Sequence, residues 1–465
     1  MSLRLMSDFK NLLYNRLSQK PHPLFVFNDT IIPSATIWIG VKAWSKYFRE
    51  LGLEEGDRVI LCYPESPAFV HILFATIWEK LTLILIRPDN WNQSLVEDLD
   101  VRLVITSKES TYKTCPDTMG LPQSKIESRK TNREKYSEVR FILQSSGSTG
   151  NPKFVCLTEK GILSVIHTHS KIFESNDTVS LSILPWSHAF GLVLDLFLST
   201  FYSECIIRDP ENGKNLDSLF SNAEKYKVTH LSSVPLVLER ILQKPNGNNF
   251  LHSLKSGIVG GAPISSLLAE NLNDSKLCVG YGQTEASPGI CLGDKGIFYP
   301  NYIGQPLGCD IKISEQGELS FRGENSFYGY WTLNSIKVIP TNSWIPTGDL
   351  VEEKNEGLFF TGRLDFSFKL PSGIMIQPEL IEKEIQSKLP TITNCLVFYQ
   401  NGIQVLFGVK ENQEDKKLIH IIHKNISPLL KNSSLEIKYL PISEWIFSPK
   451  GGIDRKLMLK KLTQL

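Results

Sequence analysis

Residues 145–153 read Ser-Ser-Gly-Ser-Thr-Gly-Asn-Pro-Lys, so that four hydroxyls (Ser145, Ser146, Ser148, Thr149), two glycines (Gly147, Gly150) and the cation of Lys153 share one short loop. Such a set cradles an anion. Glycine lets successive backbone N–H groups turn toward one point, the hydroxyls add donors, and the ammonium adds a full charge. The loop leaves an apolar run beginning at Val139 and leads into a second, Phe154 to Leu157. A flexible Gly/Ser linker would not be set between two strand-like runs. No Gly-Lys-Ser/Thr follows the glycines and no helix starts there, so the loop is not a Walker A motif. It implies another phosphate chemistry.

Further constellations follow downstream. Val279 to Glu285 reads Val-Gly-Tyr-Gly-Gln-Thr-Glu, which offers an aromatic face for a base (Tyr281), a hydroxyl for a phosphate oxygen (Thr284) and a carboxylate for a divalent cation (Glu285). Gly260-Gly261-Ala262-Pro263 sits at a strand exit, where glycines allow close approach to a flat ligand. A plain turn reads equally well there. His188 lies in Pro185-Trp186-Ser187-His188-Ala189-Phe190-Gly191, and by default such a histidine is structural. Asp349 ends Trp344-Ile345-Pro346-Thr347-Gly348-Asp349, ordinarily a turn, although a carboxylate can accept from two hydroxyls.

These motifs, in this order over nearly the whole chain, resemble the adenylate-forming superfamily: acyl- and aryl-CoA synthetases, adenylation domains of peptide synthetases, and firefly luciferase. The resemblance implies ATP, Mg²⁺ and coenzyme A, the last as thiol substrate. It places the cradle (Ser145 to Gly150, with Lys153) on the phosphates, and Gly261 and Ala262 along the adenine. Tyr281 would stack on the base, with Gly282 and Gln283 beside it; Thr284 would contact the α-phosphate and Glu285 would hold Mg²⁺. Asp349 would take both ribose hydroxyls, and Arg363 of Gly362-Arg363-Leu364-Asp365 would assist at ribose or phosphate. Asp365 falls at the family's hinge. Gly373 and Gln377-Pro378-Glu379 match a loop facing the site during thioester formation. His188 would sit at the acid and thiol tunnel. Amino-acid-activating relatives place an aspartate in that region to hold the α-ammonium; the loop here has none, which favours a carboxylic acid without an α-amino group.

The family's terminal Gly-Lys-x-x-Arg is altered. The segment reads Pro449-Lys450-Gly451-Gly452-Ile453-Asp454-Arg455-Lys456, and alignment on Arg455 puts Gly452 at the lysine position. Loss of one charged transition-state donor costs roughly 10²- to 10³-fold in rate. Lys450 or Lys456 reaching in, a slow first half-reaction, or a degenerate chain are the open readings; Lys450 is the favoured replacement. The short length, the Gly-Gly-Ile tail, Gly362 to Asp365 and Ile376 to Glu379 look like the o-succinylbenzoate–CoA ligase branch of menaquinone synthesis. The expectation is thus an AMP-forming acid–CoA ligase acting on a small carboxylic acid. The alternatives are an enzyme loading a carrier protein and a catalytically impaired nucleotide-binding homologue.

The chain of 465 residues can hold two or three domains. Fifty basic and forty-nine acidic residues give no argument for nucleic acid or an anionic membrane. The eight cysteines are scattered, with no Cys-x-x-Cys pair, and read as reduced thiols of a cytoplasmic protein. The most apolar windows, 68–86 and 192–207, carry Glu79, Lys80, Asp195 and Glu204, and read as core and not as membrane spans. The pattern predicts a helix over 38–51, a strand over 58–62, a helix over 67–80 and a strand over 81–86. It continues with a helix from Thr158 to about Phe173 and strands at 180–184, 228–234 and 256–259. This alternation is that of layered α/β sheets. Residues 107–138 read as a polar surface connection, and the region from 303 to 331 as a small β-barrel subdomain. The expected domains are 1–364, binding ATP and acid, and 365–465, a mobile α+β domain. The second holds a strand and turn at 368–376, a helix from Pro378, a hairpin about Asn401-Gly402, a helix over 414–430 and a strand over 435–440.

Overall fold

The computed structural model describes residues 8–18, 22–92, 94–106, 136–145, 153–173, 177–332, 335–370, 375–388, 394–400, 402–409, 435–447 and 453–462. The chain forms two compact units, one of residues 1–310 and 322–345, the other of 311–321 and 346–465. Compactness thus divides the chain ahead of the hinge expected at Asp365, which stays a proposal about motion.

In the first unit, strand and helix alternate as the apolar periodicity requires. Helix Pro67–Trp78 opens with proline at its first position and Ser66 as N-cap, the hydroxyl accepting from Phe69 N at 3.3 Å. Helix Glu159–His169 is capped by Thr158, whose Oγ1 accepts from Gly161 N at 3.0 Å, and a 3₁₀ turn, Ser170–Ile172, completes the stretch expected to reach Phe173. Helix Ser34–Glu50 starts four residues before the expected Trp38, directly after the strand Thr30–Pro33.

A seven-stranded sheet runs in the order 335–338, 329–332, 153–158, 139–145, 82–85, 58–62, 103–106. Its last four strands are parallel and fully or nearly fully buried, as expected of strands covered on both faces. Strand 329–332, at the end of the region expected to form the small β-barrel, instead extends this sheet together with strand 335–338. Gly329–Thr332 pairs antiparallel with Lys153–Thr158, with Tyr330 opposite Val155. A second sheet has the order 230–231, 179–182, 205–208, 23–27, 30–33, parallel except for the last pair.

Two strands are shorter than their apolar runs. The run 180–184 stops pairing at Ser182 because Leu184 N donates to the Asp195 carboxylate (3.2 Å) instead of to a strand partner. The run 228–234 pairs only at His230–Leu231 and then bridges from Ser233 to Val259, which links it to the parallel strands Ile258–Gly260 and Cys278–Tyr281.

In the second unit, Asp349 of strand Ile345–Lys354 stands opposite Arg363 of strand Gly357–Arg363. Helix Pro378–Lys388 begins at the expected proline. A three-stranded sheet orders Cys395–Tyr399, Ile403–Val409 and Leu435–Pro441, the first pair antiparallel as the Asn-Gly hairpin predicts. The helix expected over 414–430, the connection 107–135 and Cys115 lie outside the described residues. The other seven cysteines are free thiols, and no helix among the described residues is long and apolar enough to cross a membrane.

Candidate active site

The segment expected to cradle phosphate is flanked by two antiparallel strands. Strand Val139–Ser145 pairs with Lys153–Thr158, Ser145 facing Lys153, and Ser145 Oγ donates to Lys153 O at 3.5 Å. This geometry, strand to strand with no helix after the loop, accords with the exclusion of a Walker A motif. Ser146, Gly147, Ser148, Thr149 and Gly150 lie outside the described residues. Lys153 is half-buried, with its ammonium 5.3 Å from the centroid of the Tyr330 ring.

The residues expected along the adenine come together through strand pairing. Register sets Gly260 beside Gly280, so the exit Gly261-Ala262 leaves next to Tyr281. The backbones touch too closely for any side chain, since a Cβ on Gly260 would lie 2.5 Å from Gly280 O. Gly282 is pinned in the same way: a Cβ there would lie 1.5 Å from Pro288 O. Gln283 precedes a 3₁₀ turn, Thr284–Ala286, that carries Thr284 and Glu285, both half-buried. Glu285 is held twice, its carbonyl accepting from Phe327 N (2.9 Å) and its Oε1 from the Tyr330 hydroxyl (2.9 Å). Burial, and then the Glu285 carboxylate beside it, push the Tyr330 phenol up, so it stays a neutral donor at neutral pH.

His188 is exposed on a loop built over a buried polar network. Trp186 is 0% exposed; its indole N–H donates to Ser182 Oγ at 3.0 Å and its backbone N–H to Glu65 Oε1 at 2.6 Å. Glu65 ion-pairs with Arg208, whose guanidinium lies 4.9 Å from the Trp186 ring and donates to Ser182 O at 2.7 Å. Asp195 accepts from Ser182 Oγ (2.8 Å) and Leu184 N. Burial pushes its carboxyl up to about 7 against the pull of those hydrogen bonds and of Arg208. The loop runs straight into a π-helical segment, Phe190–Phe197, and Gly191 admits the contact: a Cβ there would lie 2.1 Å from Pro185 O.

In the second unit, Arg363 Nη1 donates to Asp349 Oδ1 at 2.6 Å, and its Nη2 lies 3.8 Å from Asp365 Oδ2. The two residues expected at the ribose are therefore partners. Asp349 is 8% exposed, its backbone N–H donating to Thr347 Oγ1 (3.1 Å). Gly373, Lys450 and Gly452 lie outside the described residues. Arg455, on which the terminal motif aligns, is anchored: it donates to both oxygens of Glu382 (2.8 and 2.6 Å) and to Val397 O (2.9 Å). Lys456 follows it in the first turn of helix Arg455–Leu462.

The model of the AMP-binding enzymes matches residues 35–331, nearly two-thirds of the chain and all of the cradle and Tyr281–Glu285 motifs. The chain belongs to the AMP-binding enzyme family. A 4-coumarate–CoA ligase of Humulus lupulus is 26% identical over 527 aligned positions, covering 97% of this chain and 93% of that one. A probable 4-coumarate–CoA ligase of Dictyostelium discoideum is 27% identical, covering 81% of each. Among solved structures, ATP-bound MatB from Rhodopseudomonas palustris superposes with a TM-score of 0.81 at 17% identity, covering 98% of this chain and 99% of that one. The o-succinylbenzoate CoA synthetase of Bacillus subtilis, in complex with its acyl-adenylate, gives 0.76 at 17% identity, covering 97% and 98%. The fold is that of the adenylate-forming enzymes, as the motifs imply.

Sequence reasoning assigns no role to Tyr330, Glu65, Arg208 or Asp195. Tyr330 stands in view within Tyr328-Gly329-Tyr330-Trp331, but only the pairing of its strand with Lys153–Thr158 brings it to Glu285.

Proposed function

We propose that this ATP-dependent, AMP-forming acid–CoA ligase activates an aryl carboxylic acid that carries no α-amino group. The observation that carries the reading is the state of Asp195. It is the acid nearest in sequence to the His188 loop, and it is 2% exposed and committed to Ser182 and Leu184. A carboxylate so engaged does not serve a substrate ammonium. The names of the relatives, coumarate, ferulate and anthranilate ligases among them, supply the aryl class.

In the first half-reaction a carboxylate oxygen attacks the α-phosphorus of ATP and pyrophosphate leaves. In the second, a thiol sulfur attacks the acyl carbon and AMP leaves with the oxygen. Lys153 and the cradle hydroxyls would hold the triphosphate, Thr284 the α-phosphate, and Asp349 with Arg363 the ribose. The residues fit Mg²⁺. Among the described residues no group of three or more His, Cys, Asp or Glu converges. A single carboxylate, Glu285, beside the Thr284 hydroxyl is the sparse donor set that Mg²⁺ accepts when phosphates and waters complete its shell. Bound there, Mg²⁺ neutralises phosphate charge. His188 is the proposed gate of acid and thiol. The chain's contribution is positioning and fixed electrostatics.

The test is pyrophosphate release with ATP and Mg²⁺ across coumarate, ferulate, anthranilate, o-succinylbenzoate, malonate and the amino acids, with and without coenzyme A. Release dependent on an aryl acid and followed by an acyl-CoA product is expected, with anthranilate included because its amine is on the ring. Release with α-amino acids alone would overturn the reading. Adenylate formed but never passed to coenzyme A would turn it toward a carrier-protein acceptor.

A further inference from the structure

The proposed phosphate lysine and the proposed metal carboxylate share one neighbour, Tyr330. Its strand pairs antiparallel with Lys153–Thr158, and Tyr330 stands opposite Val155, two residues along from Lys153 and therefore on the same face of the sheet. The ring lies 5.3 Å from the Lys153 ammonium, and the hydroxyl donates to Glu285 Oε1 at 2.9 Å. The tyrosine is itself braced. Phe327 packs edge-on at 4.7 Å between ring centroids and donates its N–H to Glu285 O, and Tyr328 N donates to Cys156 O at 2.8 Å. One short segment, 327–330, therefore grips the main chain and the side chain of Glu285 and faces Lys153.

A lysine and a glutamate this close to a common point would ordinarily pair with each other, and each would then cancel the charge that the other needs for a triphosphate and its cation. The tyrosine gives the ammonium a ring face and the carboxylate a neutral donor. We propose that Tyr330 is a positioning residue that holds Lys153 and Glu285 apart, fixing Glu285 Oε1 so that Oε2 is left for the cation accompanying ATP. The proposal rests on the reading of Glu285 as the metal-side carboxylate.

The test is binding and not turnover: calorimetric titration of ATP, with Mg²⁺ and separately with EDTA, into the full chain, its Glu285→Gln variant, Tyr330→Phe and Tyr330→Leu, with melting temperatures alongside. Tyr330→Phe keeps the ring and loses one hydrogen bond to a charged group, so Mg·ATP affinity is expected to fall roughly tenfold or more while metal-free ATP affinity holds within about twofold. Tyr330→Leu is expected to weaken metal-free ATP as well, by about two- to fivefold, through loss of the ring face. Tyr330→Phe binding Mg·ATP like the parent, with Glu285→Gln weakened, would overturn the proposal and leave Glu285 in its role. Equal weakening with and without Mg²⁺ would also overturn it, as a packing effect only. Glu285→Gln binding Mg·ATP like the parent would remove the metal-side reading and this proposal with it.

Discussion

Asp195 allows a sharp test of the network beneath the His188 loop. Its carboxyl titrates at about 7 in the fold against 3.8 as the ordinary value. Burial is the cause; Glu65 pushes in the same direction, while Arg208, Ser182 and Leu184 N oppose it. Below about pH 4 both folded and unfolded chains carry the proton, and Asp195 costs the fold nothing. As pH rises from about 4 to 7 the unfolded chain gives up the proton and the fold retains it, so stability drains away across that window and levels off above it. A difference of roughly 3 pH units at about 1.36 kcal/mol each amounts to about 4 kcal/mol as an upper figure. Asp195→Asn keeps an acceptor for Ser182 Oγ and Leu184 N and has nothing to titrate. Urea unfolding of parent and variant at about pH 5, 6, 7 and 8, followed by tryptophan fluorescence, should show the variant gaining on the parent as pH rises, by up to about 2.5 kcal/mol between about pH 5 and 8, the rest of the loss falling below about pH 5. Comparison at each pH cancels every other titrating group. A difference that does not change with pH, or a variant that falls behind at the highest pH, would mean that Arg208 holds Asp195 ionised, and would refute the reasoning.

Gly191→Ala would put a methyl 2.1 Å from Pro185 O; relief requires the His188 loop or the π-helical segment to move by about 1 Å, and a shift of that size costs about 10²-fold in kcat/KM, with circular dichroism unchanged. Arg455→Met leaves Glu382 buried without its ion pair and should destabilise the second unit by about 3–5 kcal/mol, read as earlier proteolysis of that unit; adding Glu382→Met should recover most of the loss. Gly452→Lys restores the charge at the family's lysine position and is expected to speed adenylate formation roughly 10²-fold, measured as single-turnover pyrophosphate release. If Lys450 already supplies that charge, Gly452→Lys changes little and Lys450→Ala lowers the rate instead; adenylate formation untouched in both Lys450→Ala and Lys456→Ala would exclude either as the substitute.

Sequence is most informative where function is written in contiguous residues. Ser145 to Lys153, Tyr281 to Glu285 and Thr347 to Asp349 are legible as motifs because the residue types suited to phosphate, base and ribose stand within a few positions of one another. Turn and cap signals are legible for the same reason, as at Thr158, at Pro378 and in the hairpin of Cys395–Tyr399 and Ile403–Val409. What escapes a reading of the sequence is any partner distant along the chain. Glu65 and Arg208 are 143 residues apart, and Tyr330 and Glu285 are 45 apart; no local pattern marks either pair. The strand ending at Ser182 is shorter than its apolar pattern predicts, because continuity through Ile183 and Leu184 says nothing of a buried carboxylate waiting for the Leu184 N–H. Tyr330 falls in a different sheet from the one expected, since aromatic, β-prone residues suit any half-buried pleat and the choice between sheets is tertiary.

The anchoring of Arg455 bears on how such a chain changes over generations. Its guanidinium ties the terminal helix to a carboxylate on helix Pro378–Lys388 and to the carbonyl of Val397 on strand Cys395–Tyr399. If position 452 carries the rate-setting charge that the family pattern puts there, a change at Gly452 would act on rate and a change at Arg455 on stability, so that the two properties could vary separately within four residues of each other.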